Sequence, residues 1–349
     1  MQRQAEMTCP SEEVTKTTIL NSNVLATRVL AKASKYTGER MKFPVKVSAN
    51  TTGTSFAGFD AFSTSPTDNR VNLAFVPKFF QMTVALPLDE LSANQSDPTA
   101  QVLKLAALET QSTAQDMADA IGTLFYSDGT GNGSKDFLGL EAIVDDGTNA
   151  STYGTLSRST YTTLKSTVTA SSGVISLAKM SVLYNGAASG SQTPTLGLCS
   201  ETIFQLYEQL LQPQERITKT VAMMKGDGKH TSLGINGGDY IGGTGFTGLY
   251  FKGFPILADE KATSGILYFV NEDFLNFYAL PMAMTQPIKY RSQDIEGNDY
   301  SGVEGLGFSW SDWIKPTNAA AVIGHVYLGG ELISENPKRH AKLTGITTV

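Results

Sequence analysis

The chain has few of the residues that carry most enzyme chemistry. Its 349 residues include only three histidines and two cysteines. His230, His325 and His340 lie far apart and fall on no metal-ligand or catalytic-triad spacing. Cys9 and Cys199 fit no metal or redox pattern, which reads as one surface thiol and one buried thiol. Charged residues make up only 17% of the chain while Gly, Ser and Thr are abundant, so a β-rich or mixed protein with many turns is favoured over a helical bundle. No apolar run reaches the roughly 18 residues that would span a bilayer. The segment MQRQAEMTCPSEEV has no apolar core of the signal-peptide kind, so the chain reads as soluble and made in a cytoplasm. No internal repeat of roughly 20 to 50 residues is present.

The motifs that do occur fail on context. Gly243, Gly245 and Gly248 match GxGxxG, but a dinucleotide fingerprint must open a helix, and the run that follows, LYFKGFPI, is strand-like. A mobile glycine-rich loop over 225–248 is the expected reading. Asp145-Asp146 and Glu12-Glu13 are adjacent rather than spaced for a shared site, and such pairs usually occupy exposed turns. The four Asn-x-Ser/Thr triplets are what Ser/Thr-rich loops produce by chance. No catalytic, cofactor-binding or metal-ligating residue is assigned, and no cofactor is expected.

Charge is unevenly placed. Residues 1–50 carry eight Lys or Arg against four Glu, a net +4, while 51–349 carry a net −10. Bulk electrostatics therefore exclude a general nucleic-acid binder. The basic segment reads as an arm packing on another subunit, with contact to nucleic acid as the alternative.

The pattern along the chain is more telling. Residues 14–34 are loosely amphipathic. MKFPVKVSA and RVNLAFVPKFFQMTVALP alternate like two strands around a polar tip, TTGTSFAGFDAFSTSPTD. A two-stranded ribbon is marginal alone in water, and Phe56, Phe59 and Phe62 at its tip have no local core. They are the expected contacts to a neighbouring subunit. Folding back on their own tip is the alternative. Asp97 and Pro98 form a strong helix start, cap followed by first-turn proline. Val102, Leu105, Leu108, Met117, Ile121, Leu124 and Phe125 then mark one stripe of a long helix that DGTGNG should end near Tyr126 or Ser127. Helices are also predicted at Leu177 to Ala187 and after Ser200, a plausible cap. Strands are predicted in LYFKGFPILAD, GILYFVN and the run from Ala319 to Ile346.

DFLGLEAIVDDG (Asp136 to Gly147) followed by YGTLSRSTY (Tyr153 to Tyr161) resembles the segment after the spine helix in major capsid proteins of tailed double-stranded DNA phages. FKGFPILADE, LYFVNEDFL and ISENPKRHAKLTGI match that family's later signatures in order, and the likeness spans about 80 to 349. The resemblance implies an α+β capsid fold, shared with encapsulins and the herpesvirus capsid floor. It would comprise an N-terminal arm at about 1–39, an extended two-stranded E-loop at 40–86, a P-domain with the spine helix at 87–165 and 311–349, and an A-domain at 166–310. It further implies a non-enzymatic shell protein of the virion, assembled in the host cytoplasm. Its partners would be itself, as pentamers and hexamers, the enclosed double-stranded DNA without sequence-specific contacts, a portal, possible decoration proteins, and a separate scaffolding protein or none. No membrane is involved. Open alternatives are an encapsulin shell, which copurified cargo would reveal, another virion component, and a glycine-rich nucleotide-binding oxidoreductase.

Overall fold

A computed structural model describes residues 23–62, 64, 68–93, 109, 112–113, 116–211, 248–280, 286–287, 308–311 and 313–347. The first element, α1 (Val24–Ala31), buries Val24, Leu25, Ala26, Val29 and Leu30. Their three- and four-residue spacing makes a single apolar stripe. That stripe packs into the protein's own main core, so this part of the basic segment is not a free arm. After it come β1 (Ser34–Lys35), β2 (Met41–Lys46), β3 (Arg70–Phe75), β4 (Lys78–Pro87) and α2 (Leu88–Ala93).

β2 and β3 pair antiparallel, with Met41 opposite Phe75 and Lys46 opposite Arg70. They are the root of the expected ribbon, which is shorter than the alternation suggests. The alternating run breaks at Val76 and Pro77, and β4 pairs instead with a C-terminal strand over Lys78 to Pro87. Pro77 has no amide hydrogen to continue the ladder, and the chain changes partner there. One face of the root, with Met41, Leu73 and Phe75, is buried, while Lys42, Lys46 and Arg70 face water.

Residues 109, 112–113 and 116–124 are helical, the last of these forming α3. Asp97 and Pro98 lie outside the described residues. Met117, Ile121 and Phe125 are fully buried on one stripe, as their spacing predicts. The helix ends where expected. Tyr126 and Ser127 donate to Thr123 and Leu124, three residues back, which tightens the last turn before the glycine run.

The hairpin β5 (Thr152–Tyr153) and β6 (Leu156–Ser157) turns through Gly154 at φ +53°. A Cβ there would lie 2.7 Å from the Phe75 ring, and the Gly154 carbonyl accepts from the Ala74 amide. Only glycine fits this close approach of hairpin to ribbon root. Next come β7 (Thr167–Gly173), α4 (Leu177–Ala187), β8 (Leu196–Cys199) and α5 (Glu201–Leu211). Ser176 caps α4, its Oγ accepting from the Lys179 amide. Ser200, the cap expected for α5, does not act through its side chain: its Oγ is buried and finds no partner among the described residues. Only its carbonyl is used, by Phe204.

The remaining strands are β9 (Gly248–Phe251), β10 (Phe254–Ala258), β11 (Leu267–Val270), β12 (Leu275–Ala279), β13 (Gln286–Pro287), β14 (Phe308–Trp310), β15 (Ala321–Ser334) and β16 (Ala341–Ile346), with a single 3-10 turn at Pro337–Arg339 between the last two. Gly248 of the GxGxxG match opens a strand, and Gly243 and Gly245 lie outside the described residues. One sheet has the order β1-β12-β15-β14-β13, with β4 on the other edge of β15. The second has the order β7-β16-β11-β8-β10-β9. Strand alternation divides the second sheet between two cores. Leu267 and Phe269 face α4 and α5, whereas Tyr268 and Val270 face the main core with α1 and α3. This sheet is therefore a middle layer, buried on both sides, which explains the continuous apolar runs LGLC and LYFV.

Candidate assembly surface and its anchorage

The ribbon leaves the body at Val47 and returns at Asn69, whose carbonyl accepts from the Val47 amide. At its tip Phe56 and Phe62 meet edge-on, ring centroids 5.0 Å apart. The pairing hides little of them: Phe56, Phe59 and Phe62 remain 64%, 108% and 65% exposed. Two of the rings thus meet at the tip, while all three still face water. Asp60 steadies the turn by accepting from the Ala57 amide. Val76 and Phe79, where the chain enters β4, are also more than half exposed.

The segment that carried the family resemblance anchors this projection. Phe137, Leu140, Ile143, Val144 and Tyr153 are core residues. At their centre lies Arg158, fully buried. Its Nε donates to the Leu164 carbonyl, Nη1 to Ala150, and Nη2 to Ala142 and Ile143, at 2.8 to 3.1 Å. The guanidinium also sits 5.1 Å from the centre of the Tyr153 ring. Asp145, 3.7 Å from Nη1, balances its charge. Asp145 is buried, contrary to the exposed turn expected for Asp145-Asp146, and Lys342 of β16 reaches its Oδ1 at 3.3 Å. Burial pushes the Asp145 carboxyl up, but the Ala150 and Gly147 amides and Lys342 outweigh it and hold the group below the usual range. Burial lowers the proton affinity of Arg158.

Two further clasps tie α1 to the body. Asp259 Oδ2 accepts from the Leu25 amide at 3.0 Å and the Tyr126 hydroxyl at 2.9 Å, so a carboxylate distant in sequence caps the start of α1. Arg28 forms a two-point pair with Glu272, at 2.6 and 2.8 Å. At the other end of the ribbon root, Glu331 of β15 accepts from the Leu138 amide at 2.6 Å and lies 3.9 Å from Lys78 Nζ. Lys78 also donates to the carbonyls of Asp136 and Gly129. Burial dominates here and pushes the Glu331 carboxyl up to about 7.

The two described histidines are paired within the fold. His340 is fully buried; its Nδ1 accepts from the Asn271 amide at 3.2 Å, so Nε2 carries the proton towards Ser334 Oγ at 2.6 Å. His325 Nδ1 pairs with Thr83 across β4 and β15. His230 and Cys9 lie outside the described residues. Cys199 is buried, and burial pushes its thiol up to about 12, the state of an unreactive core thiol. Among the described residues no group of three His, Cys, Asp or Glu is placed to hold a metal, and no helix is long and apolar enough to cross a membrane.

No protein-family model matches the chain, and no curated protein matches it by sequence. Solved structures do. A chain of the cyanophage A-1(L) capsid asymmetric unit superposes with a TM-score of 0.67 at 12% identity, over 94% of this chain and 93% of that one. A capsid chain of an empty GTA particle gives 0.53 at 10% identity, over 94% and 90%. A holo encapsulin complex from Synechococcus elongatus PCC 7942 gives 0.50 at 11% identity, over 91% and 87%. At such identities what is shared is the architecture, and this chain has the α+β fold of phage capsid and encapsulin shell proteins.

Proposed function

We propose that this chain is a major capsid protein, a non-enzymatic subunit that closes as pentamers and hexamers into an icosahedral shell around phage double-stranded DNA. The observation that carries the proposal is the ribbon tip: three phenylalanines held in water on a projecting ribbon, on a body with the capsid fold. A large exposed apolar feature marks an interaction surface. In this reading the tip of the E-loop (40–86) reaches over a neighbour, while within the arm (1–39) α1 is held in the chain's own core. The P-domain (87–165 and 311–349) carries the spine helix with Asp97 and Pro98 at its start, and the A-domain (166–310) completes the subunit. Many modest contacts around a closed ring add to a durable shell. A net −10 over residues 51–349 suits DNA that must be confined and later released, since a strongly basic lining would hold it back. Other expected partners are a portal, possible decoration proteins, and a separate scaffolding protein if one is used.

Removal of the tip tests this. Replacing residues 52–64 by a short Gly-Ser linker is expected to leave the subunit folded, with unchanged circular dichroism, while closed shells disappear from sedimentation profiles and electron micrographs. Wild-type protein that stays a compact monomer at micromolar concentration, with and without a scaffolding partner, would remove the capsid reading. The encapsulin alternative shares the fold, and purified shells separate the two: nuclease-protected DNA marks a capsid, a copurified enzyme an encapsulin.

A further inference from the structure

Positive charge is concentrated early in the chain, and the fold shows where it goes. α1 turns its apolar stripe into the chain's own core, so the cations that follow it are left on the surface of the body. Lys32, Lys35, Arg40, Lys42 and Lys46 are all exposed, and Glu39 is the only carboxylate in that run. Two of these cations stand on the ribbon root. Its antiparallel register puts Lys42, Pro44 and Lys46 of β2 on one face with Ala74, Asn72 and Arg70 of β3. The opposite face buries Met41, Leu73 and Phe75.

Lys46 and Arg70 are direct cross-strand partners, and like charges so placed cost stability. They share a hollow of about 280 Å³ with Asp68 and Asn69. Among the described residues no ion pair reaches Lys42, Lys46 or Arg70, not even from Asp68. Their counter-charge has to come from salt or from a polyanion. The face also lacks what a protein partner needs, since protein interfaces are anchored on large apolar side chains and this face has none. Phe56, Phe59 and Phe62 are beyond it, at the tip. Cations without apolar anchors suit a phosphate backbone, which binds through charge and the release of its counter-ions.

We infer that Lys42, Lys46 and Arg70, on the exposed face of the ribbon root, bind the phosphate backbone of double-stranded DNA without reading its sequence. This contact rests on the shell reading and deepens it by naming where the chain touches the enclosed DNA. Three cations make a weak, salt-sensitive contact, in keeping with an otherwise acidic body that must let the DNA go.

A random-sequence duplex of about 20 base pairs, titrated with the unassembled wild-type chain and followed by fluorescence anisotropy from about 25 to 200 mM salt, tests it. The logarithm of affinity is expected to fall against the logarithm of salt with a slope of about −2.7, at about −0.9 for each of three phosphates. Lys42→Gln, Lys46→Gln and Arg70→Gln together should take about one from the slope per residue and weaken binding at the lowest salt by about tenfold or more. All three side chains are exposed, so circular dichroism should be unchanged. Absence of saturable binding at the lowest salt, or binding that the triple variant leaves intact, would overturn the inference. A triple variant that binds DNA like wild type but no longer assembles would overturn it too, and would give the face to an acidic protein neighbour. Failure of wild-type chains to form shells removes the shell reading alone, because the duplex titration is made on unassembled chains.

Discussion

Replacing Arg158 by methionine is expected to lower the unfolding free energy of the purified chain by about 3 to 5 kcal/mol, the usual result of removing one partner from a buried charged group. Four backbone carbonyls would lose their donor, and Asp145 would lose the guanidinium that balances it. Lys342 remains 3.3 Å from the other carboxylate oxygen, but its Nζ is already shared with the Glu141 carbonyl. Arg158→Lys should recover little, because a single ammonium cannot reproduce a planar fork that serves carbonyls on three sides. Urea unfolding followed by circular dichroism gives the difference directly. A loss below about 1 kcal/mol would show that the buried arginine is incidental to the stability of the segment.

Arg158 also shows how much of this architecture is legible in the sequence. Helices announce themselves through the 3.6-residue stripe, and Leu177–Ala187 and the end of α3 fall where pattern and glycine run place them. Strands announce themselves through alternation, which says nothing about partners. Residues 70–87 read as one ribbon strand because both halves alternate, yet β3 and β4 serve different sheets. Only Pro77 hints at the break. Buried charge is the hardest to foresee: Asp145-Asp146 looks like a surface turn because its counter-charges lie 13 and 197 residues away. One signal was available. Arg158 is the only charged residue between Gly147 and Leu164, and a lone charge in so polar a neutral stretch has a local task. The exposed aromatic tip was more open to sequence reading, because three aromatics in a polar, glycine-bearing tip have nothing nearby to bury them.

Glu331 and His340, both on or beside the C-terminal strands, are expected to give the chain opposite responses to pH. The Glu331 carboxyl holds its proton up to about 7 in the folded state, against 4.5 for an ordinary glutamate. The folded chain therefore binds more protons than the unfolded chain between these values. Its contribution is fully present below 4.5 and is lost as pH rises through about 7, a change of about 3 kcal/mol at about 1.4 kcal/mol per pH unit. Lys78 does not reverse the sign: it has carbonyl partners in Asp136 and Gly129, and burial of the carboxyl outweighs its pull. His340 acts the other way. Its Nδ1 faces an amide hydrogen, and burial without a counter-charge pushes the ring down to about 3 from 6.5. The folded chain then binds fewer protons, so stability is present above 6.5 and lost as pH falls towards 3. Between 4.5 and 6.5 the two slopes oppose, which predicts a plateau there with losses on both sides. Glu331→Gln, which keeps an oxygen for the Leu138 amide, should abolish the decline above 6.5 and turn the plateau into a fall in stability that begins already as pH drops below 6.5. His340→Gln, which can still accept from Asn271 and donate to Ser334, should abolish the acid decline and turn the plateau into a fall that begins as pH rises above 4.5. Unfolding free energies measured across this range decide the matter: if Glu331→Gln declines as steeply as wild type above pH 6.5, the proton that matters is not on Glu331.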